Sequence, residues 1–228
     1  MKTKKWMDEP VPADLQYALD DTFCDGETLR RAAQEYGTPL LVYDRRTLED
    51  RAAMIREAFA WQPNSKPFFP VWAADNPELL RILRQAGCGA LCGNALQIRL
   101  ACMAGFSGEE MLFHACYPSR RDMESALQTG ATVSLDAGWQ LEWISPAQYG
   151  DRVLGLRLRP QAEASVGIFG NGKLHSKFGM PRKELLQTAT RAAALGFRRL
   201  GLQLQAGSQI YAPGYLASEL QELVQLAR

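Results

Sequence analysis

Three observations predict an α/β chain built on a parallel sheet. Short apolar runs of about five residues alternate with amphipathic stretches of about 10–15, the pattern of βαβ units. The runs after residue 66 are apolar almost without interruption, as in strands covered on both faces. Six such units can be counted from Pro67 onward, whereas a closed parallel barrel takes about eight. The prediction is therefore most of a (β/α) barrel.

Each element has its own warrant. Leu29 to Tyr36 reads as a helix stopped by Gly37, a residue that accepts the left-handed backbone of a helix end. Pro39 to Asp44 reads as a short strand, and Thr47 with Asp50 as a capping box opening a helix to about Ala60. Pro67 to Trp72 is a strand. Asn76-Pro77 supplies an N-cap and a first-turn proline for a helix whose apolar face is Leu79, Leu80, Ile82 and Leu83. Gly89 to Gly93 is a strand, and Ala95 to Ala104 a helix closed by Gly105. Met111 to Ala115 is a strand, followed by a helix to Gln128 capped by Ser119 and Asp122. The strand Thr132 to Ala137 leads to a short helix around Gln140 to Ile144. After the strand Val153 to Arg159 comes a Gly-rich loop over 161–180 and a helix from Pro181 to Leu195. Leu200 to Ala206 is the last strand and Leu216 to Ala227 the last helix.

Composition narrows the function classes. The chain of 228 residues is 46% hydrophobic and 22% charged, enough for one sizeable core. Lys plus Arg number 26 against 25 Asp plus Glu, so no one-sign field exists to hold nucleic acid or an anionic membrane. No apolar run approaches the roughly 20 residues a membrane helix needs. The start, Met1 to Pro10, is basic then acidic with no apolar segment behind it, unlike a secretory signal. Five cysteines (Cys24, Cys88, Cys92, Cys102, Cys116) form an odd set without a disulfide pattern, which suits a reducing cytoplasm.

Spacing alone names no reaction. Gly167 to Lys173 has the spacing of a phosphate-binding P-loop, but Leu174 stands where a magnesium-binding hydroxyl belongs and no helix follows directly. His114 and Cys116 lie two apart on one strand and share a face. They would sit at the strand's C-terminal end, where barrels build active sites. Two ligands from one strand fall short of a metal site, which wants three or four, so no metal is expected. Cys88 and Cys92 read as small buried hydrophobes, and Trp139 and Trp143 as core.

Several segments taken together resemble the PLP-dependent amino-acid decarboxylases with an alanine-racemase-type barrel, fold type III, and most of all diaminopimelate decarboxylase. Tyr36-Gly37-Thr38-Pro39-Leu40-Leu41-Val42-Tyr43-Asp44 is similar to the family's entry motif, and Asn76-Pro77-Glu78-Leu79-Leu80 to the helix after its lysine strand. Ala104-Gly105-Phe106, Phe113-His114 and Leu135-Asp136 follow in family order. Ser176-Lys177-Phe178-Gly179 and Gly207-Ser208-Gln209 are the most specific matches. The likeness runs from about residue 24 to the end of the chain. It implies a carboxy-lyase of the lysine-biosynthesis type that holds pyridoxal phosphate (PLP) as a Schiff base on a lysine.

The departures are concerted. Aligned through Asn76-Pro77, the family's Schiff-base lysine position holds Trp72. The aspartate of the next strand falls at Leu91, and the glutamate of the following turn at Gln97. The histidine that stacks on the pyridine ring falls at Gln205, and the lysine after the His114 strand at Pro118. What the resemblance leaves for the cofactor is His114, Arg157, Gly207 and Ser208, together with Asp136; Ser208 would face the phosphate. An indole of on the order of 200 Å² at Trp72 is expected to pack into the cofactor's volume and close the site.

The resemblance also implies further barrel strands and a C-terminal β domain beyond Arg228, so the expectation is an incomplete barrel without that domain. Residues 1–45 would be an N-terminal helix and an orphan strand, and 46–228 a partial barrel. An open seam exposes unpaired backbone groups that a partner could cover, either a second copy or a complete homologous chain. No nucleic acid and no membrane are expected as partners. The expected function is a non-catalytic relative of the decarboxylase, a fragment or partner, without covalent PLP. Two alternatives remain: an active decarboxylase of a basic amino acid using a displaced Lys66, Lys173 or Lys177, and a single-domain PLP carrier.

Overall fold

The structure, a computed structural model, describes residues 26–159, 169–170, 177–205, 207–208 and 213–227. The chain divides into two compact units, the first ending at Arg51 and the second running from Ala52. The division falls inside a helix.

In the first unit, α1 (Gly26–Tyr36) ends where the sequence predicts. Gly37 takes φ +83° and its N–H donates to the Ala33 carbonyl at 2.9 Å. Pro39 to Asp44, expected as a strand, belongs to no sheet among the described residues. A strand exists only where a neighbour takes its N–H and C=O groups, and here none does. Asp44 then starts α2 (Arg45–Ala58): its Oδ1 accepts the Thr47 N–H at 3.1 Å. The cap is therefore Asp44, three residues before the predicted Thr47–Asp50 box.

The second unit carries a six-stranded, wholly parallel sheet. Its strands are β1 (Phe68–Pro70), β2 (Gly89–Cys92), β3 (Met111–His114), β4 (Thr132–Leu135), β5 (Leu154–Leu158) and β7 (Leu200–Leu204). They lie in the order β1-β2-β3-β4-β5-β7. Among the described residues nothing pairs with the outer edges of β1 or β7. Two residues of the predicted Gly-rich loop, β6 (Phe169–Gly170), pair antiparallel with β8 (Gly207–Ser208).

Helices alternate with the strands: α3 (Pro77–Gln85), α4 (Ala95–Met103), α5 (Arg120–Thr129), α6 (Pro146–Tyr149), α7 (Arg182–Leu195) and α8 (Pro213–Ala227). Their starts are written locally. Asn76 Oδ1 accepts the Glu78 N–H at 2.9 Å, with Pro77 in the first turn. Ser119 and Asp122 form the predicted reciprocal capping box of α5. The helices bury Leu80, Ile98, Ala101, Met123, Ala126 and Leu185 against one face of the sheet. That face presents Met111, Phe113, Val133, Leu135, Leu154, Leu156 and Leu158, all buried. Each such side chain contributes on the order of 1.5–3 kcal/mol.

Cys88 and Cys92 are buried, as predicted. Trp143 packs against the core, but Trp139, expected there too, is 39% exposed. The two rings meet edge to face at 4.9 Å on a 3₁₀ segment (Gly138–Trp143), whose three-residue turn cannot point both inward.

Candidate functional site

The other face of the sheet is polar, and the strand register assembles it. His114 pairs with Ser134, Ser134 with Gly155, and Arg157 with Gln203. Gly155 is required here: a Cβ would stand 2.8 Å from the Ser134 Cβ. Ser134 Oγ is hydrogen-bonded to Gln203 Oε1 across β5.

One step toward the C-terminal ends of the strands lies a buried cluster centred on Arg157, which is 1% exposed. Its Nη1 donates to Asp136 Oδ1 at 2.7 Å and to His114 Nε2, and lies 4.0 Å from Cys116 Sγ. Its Nη2 donates to Gln205 Oε1, and its guanidinium carbon stands 5.0 Å from the centre of the Phe178 ring. Asp136 Oδ2 accepts the Gly179 N–H at 3.0 Å. The cluster thus joins β3, β4, β5 and the segment after β7. Arg157 Nε and His114 Nδ1 have no hydrogen-bond partner among the described residues.

Burial first, and the Arg157 charge second, push the His114 imidazole down to about 4. Asp136, whose Oδ1 is 3.4 Å from Nε2, pulls the other way and loses. His114 is therefore neutral at neutral pH and accepts at Nε2 rather than donating. Burial raises the Cys116 thiol, and the Asp136 carboxylate raises it further, so this sulfur is a thiol rather than a nucleophilic thiolate.

Of the residues expected at the cofactor, His114 and Arg157 come together with Asp136; Gly207 and Ser208 form β8, with Ser208 opposite Phe169. The five altered positions do separate things. Leu91 lies half-buried beside Leu112 on the inner face. Gln97 Oε1 accepts the Gly93 N–H at 2.6 Å, closing the turn after β2. Pro118 is buried ahead of the Ser119 cap. Gln205 is bound to Arg157.

Trp72 corrects an expectation. The strand that was to end on it stops at Pro70, and a 3₁₀ turn (Val71–Ala73) follows. That turn drives Val71 into the core at 0% exposure and leaves Trp72 53% exposed. The indole is not part of the buried core. It stands at the rim, its ring edge 3.8 Å from where a Cβ on Gly93 would be. Of the candidate amines, Lys66 pairs with Glu110 at 3.9 Å, ahead of β1 and β3 and thus at the opposite end of the sheet. Lys177 Nζ lies 5.1 Å from the Phe178 ring that Arg157 faces. Lys173, His175 and most of the P-loop-like run lie outside the described residues.

Sequence reasoning missed Gln140. It is fully buried, accepts the Asp136 N–H at 2.7 Å, and donates to the carbonyls of Ala115 (3.1 Å) and Cys116 (3.2 Å). It ties the ends of β3 and β4. The signal available was a polar residue inside an apolar Trp-x-Leu-x-Trp turn. Among the described residues no helix is long and apolar enough to cross a membrane.

Comparison with known proteins gives this geometry a context. The chain is 31% identical over 183 residues to the diaminopimelate decarboxylase of Deinococcus radiodurans, covering 80% of this chain and 46% of that protein. It is 30% identical over 168 residues to protein TabA of Pseudomonas amygdali pv. tabaci, covering 73% and 39%. The chain thus spans about half or less of the length of these curated relatives. A crystal structure of Helicobacter pylori diaminopimelate decarboxylase complexed with L-lysine superposes with TM-score 0.76 at 20% identity, over 87% of this chain and 52% of that one. The lysine/ornithine decarboxylase of Vibrio vulnificus, complexed with putrescine, gives 0.72 at 18% identity, over 88% and 50%. These structural likenesses establish the fold, a barrel of fold type III. The family model described as pyridoxal-dependent decarboxylase, pyridoxal binding domain, matches residues 45–228, so this chain belongs to the pyridoxal-dependent decarboxylase family.

Proposed function

We propose that the chain is a non-catalytic relative of diaminopimelate decarboxylase that holds no covalent PLP and works as a partner of a complete homologous chain. One observation carries this reading: the end of β1, where the family's lysine is expected, presents the Trp72 indole. An indole nitrogen cannot condense with an aldehyde. The residues present do not fit a Schiff-base cofactor for a second reason. Arg157, Asp136, His114 and Gln205 are bonded to one another, so both Arg157 Nη atoms, Asp136 Oδ1 and His114 Nε2 are engaged within the protein, and only Arg157 Nε and His114 Nδ1 are left without a partner among the described residues. The altered positions point the same way, since Gln97 and Gln205 serve the protein's own hydrogen bonding. The partner role is supported by the edges of β1 and β7, which have no partner strand among the described residues and offer backbone groups to further strands. A cytoplasmic setting is supported by Cys88, Cys92, Cys102 and Cys116, all free thiols.

The test is direct. Purified protein is incubated with PLP, scanned for a visible internal-aldimine band, reduced with borohydride and weighed by mass spectrometry. No band and no adduct are expected; a reduced adduct on one lysine would overturn the reading. Light scattering of the same sample, alone and mixed with a complete homologue, reads the partner role, and a monomer in both would remove it.

One observation favours a second reading, an active decarboxylase with a displaced lysine. Lys177 stands at the ring of Phe178, on the Arg157 side of the sheet. If that reading holds, the adduct maps to Lys177 and disappears in Lys177→Ala.

A further inference from the structure

We propose that His114, Cys116 and Asp136 form a three-donor cation site whose resident cation is the protein's own Arg157. The ligand-capable atoms of these three residues lie within 4.8 Å of one another. His114 Nε2 and Asp136 Oδ1 are 3.4 Å apart, close to the ligand–ligand edge of a tetrahedral zinc site with bonds of about 2.0–2.1 Å. A neutral imidazole, a carboxylate and a sulfur make a set suited to zinc-like divalent ions. One atom, Arg157 Nη1, reaches all three: it bonds Nε2, stands 2.7 Å from Oδ1 and 4.0 Å from Sγ. It occupies the place an ion would take. The arrangement spans three neighbouring strands, with His114 at the end of β3, Cys116 and Asp136 on the segments just after β3 and β4, and the cation on β5.

The physical reason is the carboxylate. Asp136 is 3% exposed, and a carboxylate withdrawn from water needs a counter-charge beside it. A metal would supply that charge from solution; a guanidinium on the adjacent strand supplies it permanently. The native chain accordingly has no use for a metal here, and loss of the guanidinium opens the site. This inference stands on the cluster's geometry and does not depend on whether the chain binds PLP.

The experiment compares the full chain with Arg157→Ala, probed with Zn²⁺ for thermal stability and Co²⁺ for absorption. Wild type is expected to be unmoved by either metal. Arg157→Ala is expected to melt well below wild type and to recover about 5–10 °C at metal concentrations near a hundredfold above Kd. Its Co²⁺ complex should show a thiolate-to-cobalt band that Cys116→Ala removes in the same background. Should the variant be soluble only with metal, metal-dependent folding is the same result. Arg157→Lys, which keeps a cation in place, is expected to fold without metal and gain nothing from it. Three results would overturn the proposal: Co²⁺ binding by wild type with the Cys116 band; Arg157→Ala equally stable with and without metal; and Arg157→Ala aggregated under both conditions.

Discussion

The two faces of the sheet solve opposite problems with the same strands. The helix-facing side, from Met111 through Leu158, is apolar and fully buried, and its stability is area removed from water. The inner side carries His114, Ser134, Asp136, Arg157, Gln203 and Gln205, and every one of them is held by hydrogen bonds or ion pairs. The first face tolerates exchange of one hydrocarbon for another of the same volume. The second does not, because removing one partner strands another in a dry interior. In this chain the polar inner side chains bond largely to one another.

The sharpest way to break the comparison is Asp136→Ala. It leaves the Arg157 charge buried without its carboxylate and frees the Gly179 N–H, so a loss of about 3–5 kcal/mol is expected in denaturant unfolding. Leu156→Ala, at an equally buried position on the apolar face, should cost about 2–5 kcal/mol through the cavity it leaves. The two differ in repair. Leu156→Met should lose less than about 1.5 kcal/mol, whereas Asp136→Leu, though apolar, should remain severely destabilised until Arg157→Met is added.

Acid separates the faces next. His114 is held neutral, with its imidazole pushed down to about 4, while in the unfolded chain it titrates near 6.5. Between those values the unfolded state binds more protons, so stability falls as pH drops from 6.5 to 4 and levels off below. The loss is at most about 3 kcal/mol, and His114→Gln should flatten this part of the curve of unfolding free energy against pH. A curve of unchanged slope in the variant would remove His114 as its source. The smallest effect is expected at the rim: Trp72→Ala should change stability by less than about 1 kcal/mol, because the indole is already half in water. A loss several times larger would mean that Trp72 packs inward in solution.

Local chemistry made most elements legible. Asn76-Pro77, Ser119 with Asp122, and the stop at Gly37 are short-range devices that act within one turn, so a reader of the chain finds them where the structure has them. The apolar runs likewise became the six strands. Pro39–Asp44 failed because an extended run needs a partner strand, which no local pattern supplies. Trp72 failed for a related reason: the strand's last residue depends on where Pro70 ends the ladder, and a turn begun two residues early reverses which side chain is core. In the site, His114 was singled out with Cys116 at the end of its strand, but Asp136 and Arg157 were reached only through resemblance, since they come from the end of β4 and from β5 and no spacing joins them to His114. Gln140 had no such guide.

The linear order of residues by itself determined the alternation of helix and strand, the caps, and the apolar face that packs the helices, because each of these depends on neighbours a few positions away. Only the tertiary structure decided that Arg157 would meet Asp136, His114 and Gln205, and that Trp72 would stand in water. Those outcomes turn on the register between parallel strands and the point at which each strand ends, and both are set by contacts between residues tens of positions apart.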